Sequence, residues 1–507
     1  MNQKVLINII VQMIRSGMNL GLSLFTSRII LKALGEDDYG LYCLLSGFIV
    51  FFAFIQSSLS TSIQRYLAYY LGKGNIAECR GYLLSGYTLY SVGGFVLCLF
   101  CYIVCMVFFN DLFEIDPQKE SLARIILLIV IISFFIGLIQ SPTYSVLYAH
   151  ECFTTISSVH IFDIIVKFVG AMLLLYASQN DRLILYALLI LLIHVIKGVL
   201  FLVFSLKFEE TRGFKLRMLS LRRFKDIFSL SGYVVFSLVG RMGRLQGITL
   251  IINHEYGVKV NGSWGIAQQV GSATRNLATP VQNAFDPLIV KREGHNNRED
   301  VIKLSIFSSK IGFLLFSTMA LPIIFNINWI LDTWLTNPPR YSAILCVMFI
   351  TGILAEQITF GLSSAFMAVG KVSVVFIVTG IIRLLSVPLM FFAFRLGGSI
   401  ILFSVIYCVL ELVCTMVYLV FFITITHTSV SLVLYGFLTK ILAVFVSLVS
   451  VCFVISLLGN GLMVLLVSAS ASVVTCLVSS WIFGFSKEEK VQITNIFLSL
   501  KARFLKR

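Results

Sequence analysis

Charge is scarce in this chain. Asp, Glu, Lys and Arg make up 12% of its 507 residues against 58% hydrophobic, and the mean hydropathy is +0.95. Such a composition excludes an ordinary water-soluble protein and leaves a polytopic membrane protein. The phosphate-loop pattern G-x-x-x-x-G-K-[ST] is absent. Gly72-Lys73 and Gly370-Lys371 lack its other glycine and its hydroxyl, which excludes ATP hydrolysis by that route. H-E-x-x-H and G-x-S-x-G are also missing, so neither a zinc protease nor a serine hydrolase is expected. Most of the eleven cysteines sit inside apolar runs. Cys98, Cys101 and Cys105 are spaced as helix neighbours rather than metal or redox ligands, so they read as small packing residues. No metal, cofactor or enzymatic activity is expected.

What is present is a series of apolar runs of about 20 residues, the length of helix that crosses a bilayer. Fourteen can be drawn, six before the longest polar connection and eight after it. The fold expected is therefore all-α and polytopic, with about 14 transmembrane helices. MNQKVLINII shows no small-residue cleavage site, so the first span is expected to be retained. Of the 39 basic residues, 22 fall on the even-numbered connections and termini, 7 on the odd-numbered connections and 10 within spans. The positive-inside rule places both termini in the cytoplasm. The excess of positive charge is thus a topology signal rather than a mark of nucleic-acid binding, for which no soluble basic domain exists.

A weak internal repeat organises the spans. Ser145 and Ala149 of SVLYAHECFTTISSV align with Ser364 and Ala368 of SAFMAVGKVSVVFIV, and DDYGLY after the first span is echoed by GSWGIA after the seventh. A repeat with an even number of spans returns to the same side, so the halves are parallel. The expected division is a six-helix lobe over 1–206, a linker over 207–228, a second six-helix lobe over 229–425, an extra helix pair over 426–484 and a basic tail over 485–507. The linker fits either a basic amphipathic helix on the inner leaflet or a plain positive loop, and the tail shows the same pattern.

Three spans carry polar stripes. In the eighth, Gln268, Ser272, Arg275, Thr279, Gln282 and Asp286 follow one another at three or four residues, tracing one helix face. The seventh places Ser237, Arg241 and Arg244 together, and the first places Asn8, Gln12, Arg15, Asn19, Ser23 and Thr26. Hydrogen bonding in a dry bundle accounts for a lone Ser or Asn. An arginine mid-span is costly enough to point to a wet cavity. Arg28 near a span end can snorkel, as can Lys197, Lys310 and Lys440. Four acids lie within spans: Asp163, Asp286, Glu356 and Glu411. Asp163 and Lys167 are four apart and fit a simple pair. Glu356 has no basic residue one turn away along its own helix, which makes it the first candidate for coupling transport to an ion gradient, with Asp163 second. The alternative is a carboxylate paired with an arginine of another span, as Arg275 would be with Glu356 or Glu411. The acidic cluster Glu36-Asp37-Asp38, framed by Gly35 and Gly40, reads as a solvated turn rather than a glycosyltransferase site.

SRIILKALGEDDYGLY after the first span, QRYLAYYLGKGN after the second and NGSWGIAQQV at the start of the eighth resemble the Wzx family. These are lipid-linked oligosaccharide flippases of the multidrug/oligosaccharidyl-lipid/polysaccharide exporter superfamily. The resemblance implies two lobes around a cavity lined by spans 1, 2, 7 and 8, in a bacterial inner membrane. It implies an O-antigen repeat unit on undecaprenyl pyrophosphate as substrate, and the pathway's polymerase and chain-length proteins as partners. Arg275, Arg241, Arg244 and Arg15 would then hold the pyrophosphate, with Gln268, Gln282 and Asn19 beside them. The alternatives are a drug exporter of the same superfamily, whose cationic substrates the arginines would repel, and a polymerase or ligase, which would need a large external loop. An alkaline phosphatase fused after Arg217 is expected to be inactive in cells, and an active fusion would overturn the topology.

Overall fold

The computed structural model describes residues 3–50, 53–107, 109, 119–335, 337–491 and 494. Every regular element among them is helical. In chain order these are α1 (Gln3–Val50), α2 (Ala53–Gly72), α3 (Ile76–Val107), α4 (Glu120–Ala149), α5 (Phe153–Leu174), α6 (Arg182–Ser205) and α7 (Leu221–Gly257). There follow α8 (258–294), α9 (Arg298–Phe325), α10 (Ser342–Val369), α11 (Ser373–Arg395), α12 (Ile400–Thr426), α13 (Leu432–Ser456) and α14 (Leu462–Gly484). Only glycine's tolerance of positive φ explains two of the breaks, at Gly35 (φ 79°) within α1 and at Gly257 (φ 77°) between α7 and α8.

Among the described residues, ten helices are long and apolar enough to cross a membrane, eleven when α10, bent by 43° after Ile358, counts as one span. The expected count of 14 is therefore not reached by this criterion. The three remaining runs lie on α1, at the α1–α2 junction and on α8. Each of these three runs includes residues outside those described or described by their backbone alone.

The chain divides into two compact units, one of residues 10–235 and the other of 236–507 with 1–9. In the first, α4, α5 and α6 pack around Leu147, Phe153, Ile156 and Phe201. Gln56 of α2 donates to the Gly137 carbonyl (2.9 Å) and to Ser141 Oγ (2.8 Å) of α4. Residues 207–228 form no amphipathic helix of their own. They make two 3-10 turns, Glu209–Thr211 and Leu216–Met218, and then begin α7. The pattern that suggested a surface helix is the first two turns of α7, where Ile227 is buried and Arg223 pairs with Glu78 at 3.0 Å. From residue 492 onward only residue 494 of the basic tail is described.

In the second unit α9 is the central helix: 78% of its most apolar stretch is buried, against 17% for α14. α13 and α14 pack against it, and Ser472 of α14 donates to the Thr318 carbonyl at 2.9 Å. Lys310 does not snorkel but meets both carboxylate oxygens of Glu489 at 3.0 Å while 3% exposed.

Glycines set the helix registers here. Gly240, Gly243 and Gly247 share one face of α7, and a Cβ on them would meet Gly380, Leu384 and Val387 of α11 at 2.8, 2.7 and 2.6 Å. Small residues at such spacing let two backbones approach closely without a hydrophobic driving force. Gly271 of α8 lies against Phe349 and Ile353 of α10, and Gly352 of α10 against Tyr407 of α12. Gly240→Leu should therefore cost about 1–3 kcal/mol by overpacking. Gly262→Ala, with nothing within 4 Å of its Cβ, should be neutral or stabilising by up to about 1 kcal/mol. Thermal unfolding of the two purified variants checks the contrast.

Candidate functional site

The glycine contacts position the charges one turn further along. Arg275 follows Gly271 by four residues, and Glu356 follows Gly352 by four. Glu411 in turn follows Tyr407 by four, so the three packed pairs bring α8, α10 and α12 together again at the level of the charges. On α7, Arg241 and Arg244 each follow a packed glycine by one position, which turns them about 100° from the glycine face.

Four arginines and two glutamates meet there. Arg275 Nη2 is 2.5 Å from Glu356 Oε2, and Arg241 Nη2 is 2.7 Å from Glu356 Oε1. Arg244 pairs with Glu411, and its guanidinium carbon lies 4.6 Å from the centre of the Tyr407 ring. Arg383 bridges the two acids, 3.9 Å from Glu356 Oε1 and 3.5 Å from Glu411 Oε2. The cluster has an inner and an outer part. The side chains of Arg244, Arg383 and Glu411 are 5, 3 and 3% exposed, whereas those of Arg241, Arg275 and Glu356 are 35, 28 and 20% exposed.

Two carboxylates cannot satisfy four guanidinium forks. Nε of Arg241, Nε and Nη1 of Arg244, and Nε of Arg383 are buried without a hydrogen-bond acceptor, and Oε2 of Glu411 is buried without a donor. Buried donors left unpaired are costly, so the geometry suits water or an anion that supplies several oxygens.

The structure alters several expectations. Glu356 is not a solitary carboxylate: three arginines from α7, α8 and α11 surround it. Partners on other helices are invisible to a search along its own, and the argument that singled it out for ion coupling no longer holds in that form. Asp286, at the end of the α8 stripe, accepts from Ser364 Oγ. Gln268 and Gln282 are half-buried. Two participants were missed as site residues, Arg383 and Glu411. Each carried a signal in the flanking polar residues: Thr379 and Ser386 lie one turn either side of Arg383, and Ser404, Tyr407, Glu411 and Thr415 run at three, four and four.

The first unit holds a separate cluster. Asp163 on α5 pairs with Lys167 at 2.9 Å, as expected, and with Lys197 of α6 at 3.5 Å. Lys197 is thus an ion-pair partner and does not snorkel. Arg15 is half-buried with no ion pair among the described residues, and Asn19 is exposed.

No protein-family model matches the chain. Uncharacterized membrane protein EpsK of Bacillus subtilis (strain 168) is 24% identical over 341 residues, covering 67% of this chain and 66% of EpsK, just under two thirds. A MATE crystal structure in the bent conformation aligns over 84% of this chain and 97% of its own, with a TM-score of 0.70 and 13% identity. A MOP superfamily transporter from Pyrococcus furiosus, described as having a binding pocket of reverse polarity that suggests a different function, aligns over 85% and 98%, with a TM-score of 0.68 and 12% identity.

Removing one member of the inner pair should unfold more than it inactivates. Arg244→Ala is expected to cost about 3 kcal/mol by leaving the buried Glu411 with Arg383 alone, 3.5 Å away. Adding Glu411→Gln should recover part of that loss of membrane-inserted protein, read by quantitative immunoblot. The fold of this chain is the one seen in the structures of the MATE and MOP-superfamily transporters.

Proposed function

We propose that the chain is a flippase that carries undecaprenyl-pyrophosphate-linked oligosaccharide repeat units, of the O-antigen kind, from the cytoplasmic to the periplasmic leaflet of a bacterial inner membrane. Both termini would be cytoplasmic. The observation that supports this reading is the excess of guanidinium over carboxylate in the second unit, with donors unfilled beside an ion pair open enough to exchange. A pyrophosphate bears charge that cannot cross hydrocarbon unescorted, and arginine matches its oxygens bidentately while staying charged.

The two parts of the cluster then have different tasks. The Arg244–Glu411–Arg383 group is the scaffold, fixed by burial. Arg241 and Arg275 are the exchangeable cations, held in position by Glu356 until phosphate oxygens replace its carboxylate. Released, Glu356 is free to exchange a proton or hold a cation, which is how an ion gradient would drive the cycle without ATP. Asp163, held by two lysines, is the second candidate for that role. Arg15, Asn19, Gln268 and Gln282 are assigned to the substrate path, and polymerase and chain-length proteins of the pathway are the partners that would receive the product.

A drug exporter shares the fold, and charge separates the two readings: in the second-unit cluster an organic cation would have to compete with arginines for Glu356 and Glu411, both of which are ion-paired. In a strain carrying only the variant at native expression, Arg275→Ala should leave folded protein in the membrane and stop surface polysaccharide export, while lipid-linked repeat units accumulate. Arg275→Lys should restore part of it as a point charge. Normal export by Arg275→Ala, or efflux of a cationic dye by the wild type, would overturn the reading. A loss of protein abundance repaired by Glu356→Gln would make the pair structural instead.

A further inference from the structure

At the end of the second unit where the α7–α8, α9–α10 and α11–α12 connections meet lies a cavity of about 540 Å³, within the size range of small-molecule sites. It is lined by Tyr256 at the first connection, by Asn328 and Asp332 on the short helix Ile327–Leu335, by Tyr341 and Ser342 at the start of α10, and by Ser399 before α12. On the positive-inside reading this end faces outward. We propose that the cavity is a saccharide subsite, which takes a sugar ring of the substrate on the outer side. The proposal rests on the flippase reading for the source of the sugar.

Saccharides present apolar C–H faces and a rim of hydroxyls, and the cavity offers a partner for each. Tyr256 and Tyr341 stand edge to face, with centroids 5.8 Å apart, and Tyr256 is buttressed by Phe394 at 5.4 Å. Their rings give rigid apolar surface with a polar tip. Asp332 and Asn328 make no ion pair or side-chain hydrogen bond among the described residues. A carboxylate accepts from hydroxyls, and an amide both donates and accepts. A free carboxylate in the wall also disfavours a phosphate headgroup, the other occupant to consider at a membrane surface.

The wall is held in shape. Ser263 Oγ donates to the Arg340 carbonyl at 2.8 Å, and Ser342 Oγ to the Pro339 carbonyl at 2.7 Å. Tyr341 between them has φ 70°, a left-handed conformation that is costly for a bulky residue and concentrates at ligand sites. A glycine would sit there without strain, so the ring is kept at a cost. From Ser342 to Glu356 along α10 is about 20 Å at 1.5 Å per residue, so the arginine cluster and the cavity are separate sites.

Tyr341→Gly removes the ring while relieving the backbone, and so separates folding from binding. The test is saturation-transfer NMR on the full chain in nanodiscs with N,N′-diacetylchitobiose, maltose and lactose as probes, and with phosphoethanolamine as the headgroup control. Wild type and Arg275→Ala should both show transfer to at least one disaccharide. Tyr341→Gly and Asp332→Ala should weaken that binding about tenfold, with Tyr341→Gly melting no lower than wild type. No transfer to any of the three sugars, or transfer to phosphoethanolamine alone, would overturn the subsite and leave the Arg275 export test unaffected. Sugar binding that survives both cavity variants would overturn it as well. Failure of the export test with sugar binding intact would remove the flippase reading and keep the cavity.

Discussion

An ion inside hydrocarbon must be paired, and this constraint governs the second unit. Four arginines at mid-span can be tolerated only if helices approach closely enough for carboxylates on other helices to reach them. The close approach comes from glycine: Gly240, Gly243 and Gly247 let α7 lie on α11, Gly271 lets α8 lie on α10, and Gly352 lets α10 lie on α12. Each contact fixes a register, which brings charges together one turn on in α8, α10 and α12 and one residue on in α7. The packing and the electrostatics are thus one arrangement, and a change at a glycine is also a change in the distance between an arginine and its acid.

How much of this was legible depended on whether the information was local. Helical periodicity marks Arg241 with Arg244, and Arg275 with its stripe, because residues three and four apart share a face. The all-helical membrane fold was equally legible from apolar runs. Pairing is a property of neighbouring helices, so a pair between Glu356 and an arginine of another span could be named only as an alternative, and Lys197 looked free to snorkel, although α6 places Lys197 beside Asp163. Arg383 and Glu411 stand on otherwise apolar helices, and their flanking Thr and Ser residues gave a fainter stripe. The linker stayed open between a surface helix and a plain loop for a related reason: Phe224 and Ile227 are spaced as on an amphipathic surface helix, and nothing local distinguishes that from the first turns of a span.

The two units treat intramembrane charge differently. In the first, one carboxylate is shared by two lysines, Lys167 and Lys197, each a point charge. In the cluster on α7, α8, α10, α11 and α12 of the second, the cations are arginines whose planar forks donate to two oxygens at once, and some of their donors remain unfilled. Lysine would satisfy a carboxylate as well in charge, but it would not leave a directional set of vacant donors. The choice of arginine is therefore informative about what the second cluster is suited to hold.

A free quartet of arginines would be a better anion trap but a worse membrane protein. Without Glu356 and Glu411 the bundle would carry four uncompensated charges while empty, each costing about 2.5–3.5 kcal/mol on insertion scales. With the glutamates present, arrival of a phosphate, as proposed above, would exchange one set of oxygens for another, so the number of guanidinium–oxyanion contacts would change little between the empty and loaded states. Affinity is sacrificed, since the ligand must displace a carboxylate, and reversibility follows from the same fact. A carrier that must release its cargo on the far side of a membrane benefits from binding no tighter than the internal carboxylate can displace. The exposures accord with that proposal: the pair that would exchange, Arg275 with Glu356, is 28 and 20% exposed, while the pair that would persist, Arg244 with Glu411, is 5 and 3% exposed.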